Sequence, residues 1–308
     1  IKARDFEKAV IYLSKQVHHS VDKAIRIAGL KECIIRYVPL DDHYRMKADD
    51  LERMIVLDKT NRLIPFLVVA SAGTTDTGAI DPLEEIGAIA KRQELWYHID
   101  GAYGGFFMLT ESGKLKLKGI EQSDTLVIDP HKSLFLPYGT GVLLARDRTQ
   151  LNVSHFYAAN YMQDTLQATE EVSPADLSPE LTKHFRGLRM WLPLKLLGLK
   201  PFRACLEEKL LLAKYFYEEV QQLGFETGPE PQLSVVTYRY VPKSGDADAF
   251  NKKLVEAVQQ DGRVFISSTL LDGKFTLRAA IVSFRTHLQT IDLLLKVLKE
   301  KVALLENS

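Results

Sequence analysis

The feature that most constrains this chain is an alternation that runs through residues 1–148: short apolar, β-branched runs exchange with stretches of helical spacing. Ala9 to Leu13, Ile34 to Val38, Pro65 to Ser71, Leu95 to Asp100 and Thr125 to Asp129 read as strands. Gly141 to Ala145 is another, after a Pro-Tyr-Gly turn. Between them, Ser20 to Gly29 reads as a helix with a glycine stop, and Ala48 to Lys59 as a second helix. Asp81-Pro82 starts a third, with aspartate expected at the cap and proline in the first turn. Leu83, Ile86, Ile89 and Ala90 give that helix an apolar stripe. Strands alternating with helices predict an α/β fold with a mostly parallel sheet.

The pattern changes after residue 148. Residues 149–184 are polar and aromatic without clear periodicity, and such a stretch is expected to be a functional, mobile loop. Leu188 to Leu223 is helical, with a break around Gly198 to Pro201. The tail reads as strand (Leu233 to Tyr240), helix (Ala247 to Gln260) and strand (Val264 to Ser268). A turn at Asp272-Gly273 leads to a strand (Phe275 to Val282) and a last helix, Leu288 to Leu305. This is the pattern of a small α+β unit with an antiparallel sheet. The expected division is a large domain over residues 1–190, including the loop, and a small C-terminal domain over 191–308. A chain of 308 residues has room for about two domains. Ile1 has no methionine before it, and Val10-Ile11-Tyr12-Leu13-Ser14 already reads as an interior strand. The N-terminal part of the fold is therefore expected to be missing.

The chain carries 40 basic and 40 acidic side chains, and this balance gives no support to nucleic-acid binding, which ordinarily needs a basic face. The run Lys114-Leu115-Lys116-Leu117-Lys118 reads as a solvated helix or loop edge. Cys33 and Cys205 are far apart and in no metal-like spacing. They fit a reducing cytoplasm and form no disulfide framework, and no metal is expected. No apolar run approaches the ~18 residues of a membrane span, and no signal peptide is visible.

Two strand ends carry groups that an apolar core does not explain. Asp100 ends the strand that starts at Leu95, within Tyr97-His98-Ile99-Asp100-Gly101-Ala102-Tyr103-Gly104. Lys132 follows the next strand, within Asp129-Pro130-His131-Lys132-Ser133. An amine and a carboxylate placed this way are what pyridoxal phosphate (PLP) requires: the amine for its aldehyde, the acid for its pyridine nitrogen. The ion pair keeps the ring cationic, so that it can draw electrons from a breaking bond. An amine attacks an aldehyde only when neutral, so Lys132 is expected to be buried.

Three further segments accompany these two: Gln16-Val17-His18-His19-Ser20-Val21-Asp22-Lys23-Ala24, Ala72-Gly73-Thr74-Thr75 and Phe185-Arg186-Gly187-Leu188-Arg189-Met190-Trp191. In these five segments, their order and their spacing, the chain resembles the PLP-dependent group II amino-acid decarboxylases of fold type I. That family includes the aromatic-amino-acid, histidine, glutamate and cysteine-sulfinate decarboxylases, and the resemblance runs through nearly the whole chain. It implies a role for several residues. Lys132 holds the cofactor aldehyde and Asp100 the ring nitrogen. Ala102 is the small residue beneath the ring, and His18 stacks on the other face, with His19 as the alternative. Thr75 lies near the 3-hydroxyl, with Thr74 as its neighbouring alternative, and His131 flanks the phosphate. Asp129 departs from the asparagine of several relatives; its carboxylate would repel a phosphate unless it turned toward a donor. The main phosphate cup, Gly/Ser-rich backbone at a helix N-terminus, is not visible and is expected in the missing part.

The resemblance also makes Tyr161 the loop tyrosine that returns a proton to the substrate α-carbon, with Tyr157 as its rival. Arg278 matches a small-domain arginine that meets the substrate carboxylate in some relatives. The implied activity is that of a lyase in amino-acid and carboxylic-acid metabolism: an L-amino-acid α-decarboxylase, aromatic substrates first and acidic ones second. Aldehyde synthases resemble the family closely but often replace the loop tyrosine by phenylalanine, so Tyr161 favours decarboxylation. The implied assembly is a homodimer with each site at the interface. A catalytically silent paralogue or fragment acting as a binding partner is the alternative of a different class, and the presence of both Lys132 and Asp100 speaks against such decay.

Overall fold

Five consecutive apolar residues without glycine or proline form β1 (Ala9–Leu13), and all five are buried. A strand buried on both faces belongs in the middle of a covered, parallel sheet. β1 takes that place in the computed structural model, which describes residues 1–156 and 173–307. Its sheet has the order β2-β1-β3-β4-β5-β6. The other strands are β2 (Ile34–Tyr37), β3 (Ile64–Ser71), β4 (Trp96–Asp100), β5 (Thr125–Ile128) and β6 (Val142–Ala145). The first five run parallel, and β6 pairs antiparallel with β5.

Alternation along each strand sorts side chains between two layers. Val10, Tyr12, Val68, Ala70, Tyr97 and Ile99 share a core with α2 (Ala48–Thr60) and α3 (Leu83–Gln93) through Leu51, Ile55, Leu83 and Ile86. Ala9, Ile11, Leu13 and Val69 point to the opposite face and meet Ile25 of α1 (Ser20–Ile27) and Cys33. The chain leaves β1 through α1 toward β2, then returns through α2 to the other side of β1 as β3. The order therefore reverses between β1 and β3, and such a switch point leaves a crevice beyond the carboxyl ends of the strands.

Two helices, α6 (Leu188–Leu197) and α7 (Lys200–Gln222), lead to the second sheet; Gly198 between them takes φ 70°. α7 begins against the first core through Phe202 and Leu206 and ends in a second core through Leu212, Phe216 and Val220. That core lies under an antiparallel sheet of order β7-β8-β10-β9. Its strands are β7 (Phe225–Thr227), β8 (Val235–Tyr240), β9 (Ser267–Leu271) and β10 (Lys274–Ala280), covered by α8 (Ala247–Asp261) and α9 (Leu288–Glu306). Asp272 and Gly273 join β9 to β10 with φ 49° and 76°, the left-handed pair a tight hairpin requires.

Several expectations need correction. The residues from Ile1 onward are placed, and β1 sits inside the sheet, between β2 and β3. The stretch from 149 is not irregular at its start: α5 (Arg148–His155) is helical, capped by the Asp147 carboxylate accepting from Thr149 N. Asp81 does not cap α3; its carboxylate accepts from Met46 N and Ser71 N instead, both at 2.7 Å. β9 starts three residues later than Val264, because Ser267 is the first residue to pair with β10, opposite Arg278. The lysine run falls on the short helix α4 (Glu111–Lys116) and its exit, where Leu117 is fully buried and Lys118 pairs with Glu84 at 3.0 Å. No helix among the described residues is long and apolar enough to cross a membrane.

Candidate active site

A cavity of about 770 Å³ lies at the carboxyl ends of β1, β3, β4 and β5, between α1 and the sheet. Each strand contributes the residues that follow it. His18 comes from the turn after β1; Gly73, Thr74 and Thr75 from the turn after β3. Asp100 and Ala102 end and follow β4, and Asp129 and Lys132 follow β5. The convergence is a consequence of parallel pairing, which brings these strand ends to one edge.

The local bonds fix several of these groups. Asp100 Oδ1 accepts from Ala102 N at 3.0 Å, which ties the carboxylate to the loop beneath it. Lys132 Nζ lies 3.0 Å from Asp129 Oδ2, so the Asp129 carboxylate has turned to a donor. Lys132 is not buried as expected: its side chain is 42% exposed at the cavity mouth. Three residues on, Phe135 holds φ 59°, a left-handed conformation that costs a non-glycine residue about 1–3 kcal/mol.

His18 lines the cavity and His19 does not; their rings lie 4.0 Å apart at a tilt. His18 Nδ1 is engaged with Ser20 Oγ at 2.8 Å. Burial pushes its pKa below the ordinary histidine value, with His19 and Lys132 pushing the same way and Asp100 and Asp129 opposing. The four candidate groups thus share one electrostatic environment. The threonine pair also divides. Thr74 is buried and its Oγ1 closes the turn, pairing with Thr77 Oγ1 and accepting from Ala79 N. Thr75 is exposed on the cavity wall.

Two predicted residues lie off the cavity wall. His131 is not on its lining: Nδ1 pairs with the Thr140 carbonyl at 2.7 Å, Nε2 lies 3.8 Å from Asp129 Oδ2, and the ring meets Tyr138 edge-on. Arg278 sits on β10 and donates from Nε to the Asp76 carbonyl and from Nη1 to Ser267 Oγ, both at 3.1 Å. It therefore grips the turn beside Thr75. Tyr161 and Tyr157 lie outside the described residues.

The structure adds wall residues that the motifs did not single out. Trp96, His98 and Asp100 alternate on one face of β4, and Thr125 and Val127 face them from β5. Period-two spacing below Asp100 was the available signal. Phe66, Leu67, Val69 and Leu143 extend the wall, making it mostly apolar. Tyr103 closes one side; its hydroxyl pairs with Ser234 Oγ at 2.7 Å and accepts from Ser234 N at 2.9 Å, linking the site to the C-terminal sheet.

These residues fit the ring end of PLP. They supply an amine, a carboxylate, a small floor at Ala102 and a flat imidazole. Gln16 Oε1, on the cavity lining, and Ser133 Oγ, next to Lys132 in the chain, are buried with no hydrogen-bond partner among the described residues. Residues 2–241 match the pyridoxal-dependent decarboxylase conserved domain. The chain belongs to that family. PLP is the cofactor of this family. An aromatic-L-amino-acid decarboxylase of Bacillus atrophaeus is 34% identical over 97% of this chain and 64% of its own length. A phenylacetaldehyde synthase of Arabidopsis thaliana is 29% identical over 97% of this chain and 62% of its own. The crystal structure of Oryza sativa TDC with PLP and tryptamine superposes with a TM-score of 0.93 at 25% identity, covering 98% of this chain and 64% of that one. The chain thus spans under two thirds of the length of these relatives.

Proposed function

We propose that this chain carries the catalytic site of a PLP-dependent L-amino-acid α-decarboxylase, with an aromatic amino acid as the favoured substrate. One observation carries the proposal: Lys132, Asp100, His18, Ala102 and Thr75 line a single cavity at neighbouring strand ends. Bound there, PLP supplies the electron sink that makes loss of an α-carboxylate possible. The protein's contribution is orientation and electrostatics. Asp100 gives the ring nitrogen an anionic partner. Ala102 leaves room below the ring, His18 covers the upper face and excludes water, and Thr75 offers a hydroxyl at the ring edge. Lys132 is the amine for the aldehyde, and the Asp129 carboxylate, 3.0 Å away, pairs with its ammonium form. His131 acts at the phosphate side only if it leaves its bond to Thr140. Arg278 reaches a substrate carboxylate only by releasing the Asp76 carbonyl. Tyr161 is the proposed proton donor to the α-carbon.

The apolar wall and the names of the relatives support an aromatic side chain over an acidic one. The aldehyde-synthase outcome is a second reading, favoured by the Arabidopsis relative and opposed by the tyrosine at 161. The assembly belongs to the same proposal, as a homodimer with the site at its interface, and so does a division near residue 190. Two sheets with separate cores support that division. Two free cysteines support a reducing, cytoplasmic setting.

Borohydride reduction of the protein incubated with PLP, followed by peptide mass spectrometry, is expected to find the pyridoxyl group on Lys132. A panel of amino acids is expected to yield amine and carbon dioxide, with aromatic substrates fastest. The label on another lysine ends the assignment; aldehyde and ammonia in place of amine select the second reading.

A further inference from the structure

Beneath Asp100, three side chains form a relay that the motifs did not predict. Trp96 Nε1 donates to Thr125 Oγ1 at 3.0 Å, and the same Oγ1 lies 2.9 Å from His98 Nδ1. The relay crosses from β4 to β5, where His98 and Thr125 are register partners. Its direction follows from where the buried Thr125 hydroxyl can place its proton. An indole N–H can only donate, so it uses one lone pair of the threonine oxygen. The hydroxyl's own proton needs an acceptor, and His98 Nδ1 is the one the structure provides. An imidazole that accepts at Nδ1 and is neutral carries its proton on Nε2.

The charge state points the same way. Burial pushes His98 below the ordinary histidine value, and Asp100, two residues along the same strand, is the charged group that opposes it. Its other sheet neighbours in register are Val69 on β3 and Thr125 on β5, neither of them charged. A cationic His98, two residues from Asp100 on the same cavity-facing side of β4, would offset the charge meant for the cofactor, and a neutral ring does not.

We propose that His98 is a positioning residue for Asp100: the Trp96–Thr125 relay holds its imidazole neutral with the proton on Nε2, so that Asp100 keeps its charge for the pyridine nitrogen. This rests on the PLP reading above, and the test separates the two. The first readout needs no cofactor. In the full chain with 15N-labelled histidine, long-range 1H–15N spectra near neutral pH are expected to show His98 unprotonated at Nδ1 and protonated at Nε2. Thr125→Ser keeps that signature, and Thr125→Val loses it. The second readout is PLP affinity by absorbance titration. Thr125→Val is expected to weaken it about three- to tenfold, the scale of one hydrogen bond, and Thr125→Ser restores it.

A proton on Nδ1, or a doubly protonated ring, in the unsubstituted chain overturns the relay. Loss of the tautomer in Thr125→Val with unchanged PLP affinity overturns the positioning role. Where Thr125→Val fails to fold, Thr125→Ala replaces it: with no hydroxyl to donate to Nδ1, the same loss of the tautomer and the same weakening are expected. An unchanged tautomer and affinity in that variant refute the proposal. If the tautomer is as expected but the unsubstituted chain takes up no PLP, the functional reading fails and the positioning role falls with it.

Discussion

Asp81 is a buried carboxylate whose removal is expected to erase a pH dependence of stability. It is 2% exposed and fully enclosed between β3 and the segment before α2. Burial raises its pKa from an ordinary 3.8 to about 6, against the two backbone N–H groups of Met46 and Ser71 that favour the charged form. The gap between those two values corresponds to about 3 kcal/mol. The folded-state value lies above the unfolded one. The contribution is therefore full below about pH 3.8 and is lost as pH rises through about 6. Asp81→Asn cannot titrate. Its amide has one acceptor oxygen where the carboxylate serves two N–H groups, so one of them is left facing an NH₂, at a cost of about 1–3 kcal/mol. The variant is thus expected to be clearly less stable than the original at pH 3, and to recover about 3 kcal/mol relative to it by pH 8. Urea denaturation followed by circular dichroism, in pH steps for both proteins, measures the difference, in which all other carboxylates cancel. A difference that stays flat with pH refutes the reasoning. The site is involved too, because Asp81 holds Ser71, and the Ser71–Asp81 pairing closes the turn that carries Thr75.

Tyr103→Phe is expected to cost about 1–3 kcal/mol in urea denaturation, because the fully buried Ser234 N–H loses its acceptor. Gly104→Ala is expected to cost about 1–3 kcal/mol or to lower the folded yield, since a Cβ there would collide with the Ala72 carbonyl and Leu233; the same unfolding curve measures it. Tyr161→Phe is expected to retain PLP binding while amine production falls about 10²–10⁴-fold, with aldehyde as the side product; Tyr157→Phe serves as the control. Normal amine output from Tyr161→Phe together with its loss in Tyr157→Phe would move the donor to Tyr157.

Much of the fold was legible because local pattern and tertiary environment agree. β1, buried on both faces, coincides with the five-residue run that marks it, and the break at Gly198 falls between α6 and α7. Lys132 and Asp100 could be singled out because one follows a strand and the other ends one, and parallel pairing brings strand ends together; His18 came from the family resemblance. Asp81 misled because a residue at a helix start has a local use and a distant one; here two distant backbone N–H groups won. β9 was misplaced because the register of a hairpin is set by its partner strand, not by its own composition.

The sequence by itself determined which residues share a face and which strand ends carry an amine and an acid, since side-chain periodicity and chain order are local properties. Only the tertiary structure decided between equivalent neighbours. It put His18 rather than His19 on the cavity wall, and it left Thr75 exposed there while the Thr74 hydroxyl closes the turn. It tied Arg278 to the Asp76 carbonyl and joined Trp96, Thr125 and His98 across two strands. Those outcomes depend on which hydrogen-bonding groups meet across the sheet once it has folded, and residues distant in the chain supply them.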